Sequence, residues 1–127
     1  MTAISLLVDH KNKKITYARG GHPFPILFKK DSVEIEILQE NSGQILGILD
    51  GIQFSEKEIK FDTGDILLVY SDGLLGSTSH PLVQPLSHLP IGVQRIDNMK
   101  TEISNFIEYL KSSAKVQDDI AYLLLEI

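Results

Sequence analysis

Apolar positions follow two rhythms along the chain. In the first half they mostly alternate with polar ones. Ile15 and Tyr17 flank Thr16, and Val33, Ile35 and Ile37 flank Glu34 and Glu36. A period of two sends alternate side chains to one face, as in a half-buried strand. Residues 2–8 and 15–18 are apolar-rich, and the polar residues 9–14 between them predict a hairpin loop. Ile26-Leu27-Phe28 predicts a further strand. Gly47 interrupts an apolar run at 45–49 and implies a bend or a close backbone approach. Ile52 and Phe54 are out of phase with Ile59 and Phe61, which predicts a bulge or two short pieces. Residues 66–70 (Ile66-Leu67-Leu68-Val69-Tyr70) carry no charged residue, the pattern of a strand covered on both faces. Residues 77–92, with Pro81, Pro85 and Pro90, read as loop. Met99, Ile103, Phe106, Ile107 and Leu110 then recur at helical spacing. They predict one amphipathic helix over 97–111, with Asp97 as its N-cap. Residues 120–127 close the chain as an apolar strand. Strands, one helix and a last strand make an α+β domain with mostly antiparallel sheet.

The 127 residues suit one domain, and 43% hydrophobic with 23% charged residues is ordinary for a globular protein. A net charge of -5 argues against nucleic acid or an anionic membrane as the main partner. With no cysteine, disulfides and thiolate metal sites are excluded. No apolar stretch approaches membrane-spanning length, and residues 1–8 do not have the layout of a secretory signal. The expected location is the cytoplasm. Strand character begins almost at the first residue, which reads as a cut inside a larger domain.

The chemistry-bearing positions lie at strand ends. Asp72 stands where the 66–70 run stops, followed by Gly73. Asp and Gly fit a turn on backbone grounds alone. A carboxylate at the mouth of a core also calls for neutralisation, and a cation is one candidate. Asp118 and Asp119 stand just before the final apolar run. If the two strands lie antiparallel, the end of one adjoins the start of the other. Asp72 and Asp118 then share a rim, where carboxylates repel unless a cation binds them. All-oxygen donors select hard ions such as magnesium or manganese. Turn capping is the competing reading of Asp118-Asp119. In the loop Arg19-Gly20-Gly21-His22-Pro23-Phe24-Pro25, His22 and Arg19 are candidate phosphate contacts. The competing readings are a ring bonded to backbone for His22 and a structural ion pair for Arg19.

Four pieces occur in order: Ala18 to Pro25; Gly47-Ile48; Gly64-Asp65-Ile66-Leu67-Leu68-Val69-Tyr70-Ser71-Asp72-Gly73-Leu74; and Asp118-Asp119-Ile120-Ala121. Together they resemble the C-terminal part of the bacterial PPM/PP2C-type serine/threonine phosphatases, in the SpoIIE and RsbU branch. The resemblance implies a partial β-sandwich flanked by helices, with residues 1–127 lacking the N-terminal part of the domain. It implies two magnesium or manganese ions in the intact domain and a bridging water or hydroxide that attacks phosphoserine or phosphothreonine. Asp72 and Asp118 match ligands of one metal; Asp119 and Gly73 are the neighbours that support them.

The resemblance also implies a phosphorylated regulatory protein as substrate, such as an anti-sigma-factor antagonist. The family's upstream metal-binding Asp and Gly-Asp motif has no counterpart in this chain, so residues 1–127 alone are expected to be inactive. Leu75-Gly76-Ser77 stands where many relatives have an acidic residue, and Ala121 where Thr is frequent. These departures keep open a non-catalytic, phosphatase-like interaction module. Exposed sheet edges raise a third expectation, pairing with a second copy.

Overall fold

The computed structural model describes residues 1–32, 35–39, 45–75, 99–113 and 119–127. Among these, the chain forms β1 (Ala3–Asp9), β2 (Lys14–Gly20), β3 (Ile26–Phe28), β4 (Ile35–Ile37), β5 (Lys57–Lys60), β6 (Ile66–Tyr70), α1 (Met99–Ser113) and β7 (Tyr122–Glu126). A 3-10 turn, Asp72–Leu75, follows β6. Every ladder is antiparallel. One sheet has the order β1-β2-β5, the other β4-β3-β6-β7.

The predicted hairpin is present, with Ala3 opposite Gly20 and Asp9 opposite Lys14. Its loop is closed by Asp9, whose carboxylate accepts from Asn12 N (3.0 Å) and Asn12 Nδ2 (2.7 Å). Lys13 takes the left-handed conformation, φ 50°. The phase change between Ile52 and Ile59 resolves into one strand preceded by a stretch without regular structure. Only Lys57–Lys60 joins a sheet, pairing with β2, while residues 52–56 run outside the ladder. Gly47 is a bend rather than a close approach. Its φ is +81°, and an added Cβ would meet nothing within 4 Å. Among the described residues the predicted helix is present over Met99–Ser113, two residues past its predicted end. Asp97 and the predicted loop at 77–92 lie outside the described residues.

The alternation of β3 and β6 builds two cores. Leu27 and Leu67 face the first sheet and pack with Ile15, Tyr17, Leu38, Phe61 and Ile127. Ile26, Phe28, Ile66, Leu68 and Tyr70 face the other way and pack with Ile103 and Ile107 of α1. The layers are therefore sheet, sheet and helix, with β6 central in the second sheet. Leu67 and Leu68 are both 0% exposed, which is why the run tolerates no charged position on either face. Fully burying such a side chain contributes about 1.5–3 kcal/mol. Ile103 and Ile107 lie four apart on α1 and are both fully buried, while Lys100, Glu102, Asn105 and Glu108 are exposed.

The start of β6 is fixed by a buried carboxylate. Asp65, 1% exposed, accepts from Lys30 N (2.8 Å), Asp62 N (2.9 Å) and Lys29 Nζ (3.2 Å). Lys29 Nζ also donates to the Lys60 carbonyl, and Ile127 N donates to the Asp65 carbonyl. One side chain thus ties together the β3–β4 turn and the entry to β6, while its backbone carbonyl holds the chain end. The sequence marks Gly64-Asp65 as a turn, and it is one, with Gly64 at φ +97°. The depth of its carboxylate is not visible in that pattern.

Candidate functional site

β6 and β7 pair antiparallel, with Tyr70 opposite Tyr122. The end of one strand therefore meets the start of the other, as the two apolar runs imply. The junction is stitched beyond the last pair. Ser71 N donates to the Ala121 carbonyl (2.8 Å), Ala121 N donates to Ser71 Oγ (2.9 Å), and Ser71 Oγ donates to the Asp119 carbonyl (3.3 Å). Ser71 went unassigned in the sequence. A hydroxyl ending an otherwise apolar strand was the available signal.

Asp72 follows directly and opens the 3-10 turn. Its side chain is exposed, and no described residue donates a hydrogen bond to it. Gly73 behind it is buried, and Asp119 is exposed across the junction. Asp118 lies outside the described residues. Among the described residues no three His, Cys, Asp or Glu side chains are grouped as metal ligands. Asp72 offers outward carboxylate oxygens, the donor type that hard divalent ions take, on a strand end held by backbone bonds, but among the described residues it is one carboxylate and no ligand group.

The Gly-Gly-His-Pro loop lies against the same rim. A cavity of about 490 Å³ is lined by Arg19, His22, Phe24, Tyr70 and Asp72, among others. Arg19 is buried at the end of β2. Its guanidinium donates through Nη1 to the His22 carbonyl and stacks 4.1 Å from the centre of the Phe24 ring. Both contacts shape the loop itself. Gly20 and Gly21 lie under Leu46 and Ile45, and a Cβ at either position would fall within 3.0 Å of those side chains. Ala3 bridges to Gly21 in parallel fashion, tying the loop to the start of β1.

His22 has its pKa lowered, first by burial and then by the Arg19 charge. The Asp72 carboxylate and a hydrogen bond to the Tyr70 backbone act in the opposite direction. Its Nε2 is buried and has no hydrogen-bond partner among the described residues. Burial pushes the Tyr70 phenol up to about 12. At neutral pH the rim therefore carries a neutral imidazole and a protonated phenol beside Asp72.

Residues 1–127 match the family model described as Stage II sporulation protein E (SpoIIE). The phosphoserine phosphatase RsbP of Bacillus subtilis (strain 168) is 26% identical over 130 residues, covering 99% of this chain and 30% of that protein. Among solved structures, the RsbU and RsbW domains of Rv1364c from Mycobacterium tuberculosis superpose with a TM-score of 0.75 at 23% identity. That match covers 97% of this chain and 35% of the other. The phosphatase domain of SpoIIE from Bacillus subtilis, presoaked in Mn, superposes with a TM-score of 0.68 at 14% identity, covering 99% of this chain and 56% of that one. The chain thus spans under a third of the curated relative and a little over half of a solved phosphatase domain. The structural likenesses establish a PP2C-like fold, here in part. The match of the SpoIIE model from the first residue to the last places this chain in the SpoIIE family.

Proposed function

We propose that this chain forms part of a metal-dependent serine/threonine phosphoprotein phosphatase of bacterial signalling. The observation that carries the proposal is the stitched β6–β7 junction. It brings Asp72 and the chain entering β7 to one rim, with Asp72 exposed and unpartnered by any described residue. In this reading Asp72 and Asp118 hold a magnesium or manganese ion, and Gly73 and Asp119 support them. When bound, such an ion lowers the pKa of water and offsets charge on a phosphoryl group.

The chain's own residues do the positioning. The buried strand fixes the Asp72 backbone, and Ser71 locks that backbone to β7. Arg19 and His22 are the candidate phosphate contacts near the rim. Arg19's engagement with the His22 carbonyl and the Phe24 ring supports a structural role for it instead. The proposed substrate is a phosphorylated regulatory protein, with an anti-sigma-factor antagonist the specific class; a cytoplasmic location goes with it. Further ligands would come from the part of the phosphatase domain that residues 1–127 do not span. Leu7 and Leu123, exposed on strands at the sheet margins, support pairing with a second copy as the alternative way of covering these edges.

The test is hydrolysis of a phosphoserine protein with Mn2+ by the natural full-length protein, compared with Asp72→Asn. The expected loss in kcat/KM is about 100-fold or more. Unchanged turnover in Asp72→Asn would refute the assignment. Mn2+ binding without any turnover would favour the non-catalytic interaction module instead.

A further inference from the structure

Asp-Gly occurs twice in the chain, at 50–51 and at 72–73. The pair has a chemistry of its own. The glycine nitrogen can attack the aspartyl side-chain carbonyl, because no Cβ on the following residue obstructs the approach. Whether the attack is within reach depends on the backbone around the pair, and the fold holds the two pairs in opposite ways.

Asp50 and Gly51 are both exposed, and so are Ile48 and Leu49 before them. A Cβ added at Gly51 would meet nothing within 4 Å. Among the described residues no hydrogen bond engages the Asp50 carboxyl or the Gly51 N–H. Asp72 and Gly73 instead lie in the 3-10 turn Asp72–Leu75, and Gly73 is buried. Ser71, directly before them, is bonded to Ala121 through both its N–H and its hydroxyl. The ring that the attack closes needs a ψ at the aspartate outside the helical range. At 72–73 the turn must therefore open first, which costs free energy; at 50–51 nothing has to open.

We propose that Asp50 is a site of spontaneous conversion to isoaspartate, and that the fold spares Asp72 the same reaction. The Gly51 nitrogen forms a bond to Asp50 Cγ. One carboxyl oxygen leaves as water, taking up the amide proton, and a succinimide ring results. Water then opens the ring. Breaking the Cγ–N bond restores aspartate. Breaking the bond from nitrogen to the main-chain carbonyl leaves the chain running through Cγ, with the former main-chain carbon as a free carboxylate. The water lost in the first step is regained in the second. The product lengthens the main chain by one methylene, in a bend with room for it, and exposes an α-carboxylate. That group suits a partner of one class, a carboxyl methyltransferase that recognises isoaspartate. The inference is independent of the metal reading of Asp72.

The test ages the natural full-length protein at neutral pH, folded and in parallel unfolded in urea. Trypsin separates the two pairs, since Lys30 and Lys57 bound one peptide and Lys60 and Arg95 the other. Electron-transfer fragmentation locates isoaspartate within each peptide. An isoaspartyl methyltransferase with labelled S-adenosylmethionine counts it, moving the methyl group from sulfur to a carboxylate oxygen and releasing S-adenosylhomocysteine. The expected result is isoaspartate forming several-fold faster at Asp50 than at Asp72 in the folded protein, with the two rates converging in urea. Asp50→Glu should abolish the signal at position 50, because the ring would need a sixth member. Asp50→Asn should raise it, because an amide is attacked more readily than a carboxylate.

Equal rates at the two pairs in the folded protein would overturn the proposal. So would a rate at Asp50 that folding suppresses as strongly as it suppresses the rate at Asp72, since the bend would then restrain its pair as the 3-10 turn does. A signal at position 50 that survives Asp50→Glu would overturn the chemistry itself.

Discussion

Two aspartates at opposite ends of β6 have opposite fates. Asp65 is buried and surrounded by donors; Asp72 is exposed with no described donor. Each carboxylate follows a simple rule. A charge taken out of water needs partners, and one left with open lone pairs is free to bind. Replacing Asp65 by Ala strands two backbone N–H groups and the Lys29 ammonium. The expected cost is roughly 3 kcal/mol in urea denaturation. Lys29→Met leaves the carboxylate its two backbone donors and should cost less than Asp65→Ala. Equal losses in the two variants would show that the ammonium, not the amides, carries the knot.

Asp9 offers a further test at this scale. Hydrogen bonds from Asn12 hold its carboxyl below the usual carboxylate range. A depressed folded pKa means that the stabilisation is present above the unfolded value of 3.8 and is lost as pH falls through the folded one. Carbon-detected NMR titration should place the Asp9 midpoint below 3.8 in the wild type and return it toward that value in Asn12→Ala.

At the scale of elements, the sequence was most legible where one physical demand acted alone. The 66–70 run, with both faces covered, could be only a central strand. Ile103 and Ile107 could only face a core. Legibility fell where a residue's partner came from a distant element. Asp65 looked like a turn former because Lys29 and Lys30 lie some 35 positions away. Ser71 looked like a spacer because Asp119 and Ala121 are brought to it by the fold. The 52–61 stretch misled on number but not on kind, since its phase change marks where the chain leaves the ladder. Substitution should reproduce this ranking. Leu68→Ala, between β3, β7 and α1, is expected to cost about 2–5 kcal/mol. Leu123→Ala, at a position 53% exposed, is expected to change stability by no more than about 0.5 kcal/mol. Comparable losses at the two sites would contradict the layer arrangement.

For the whole molecule, the residues sort by depth. The sandwich interior and the α1 face carry stability, while the rim where β6 ends and β7 begins carries the candidate chemistry. Asp72 is legible as a rim residue from the two apolar runs. The loop that lines the same cavity was not, because residues 19–25 are brought beside Asp72 only by the fold. No helix among the described residues is long and apolar enough to cross a membrane. The chain spans 56% of a solved phosphatase domain of similar fold.

The strand between the two aspartates also bears on insertion and deletion. β6 is anchored at its start by Asp65 and at its end by Ser71, with five residues between. Adding or removing one residue there would exchange the two faces of the strand, sending Leu67 toward the helix and Leu68 toward the facing sheet, and would turn Asp72 from the rim. Chain length is therefore fixed between positions 65 and 72 but tolerant in the exposed bend at 47–51, where glycine positions meet no neighbour. A peptide tag or a reporter graft belongs in that bend. The seven-residue interval acts as a spacer whose length, as much as its composition, sets where the carboxylate stands.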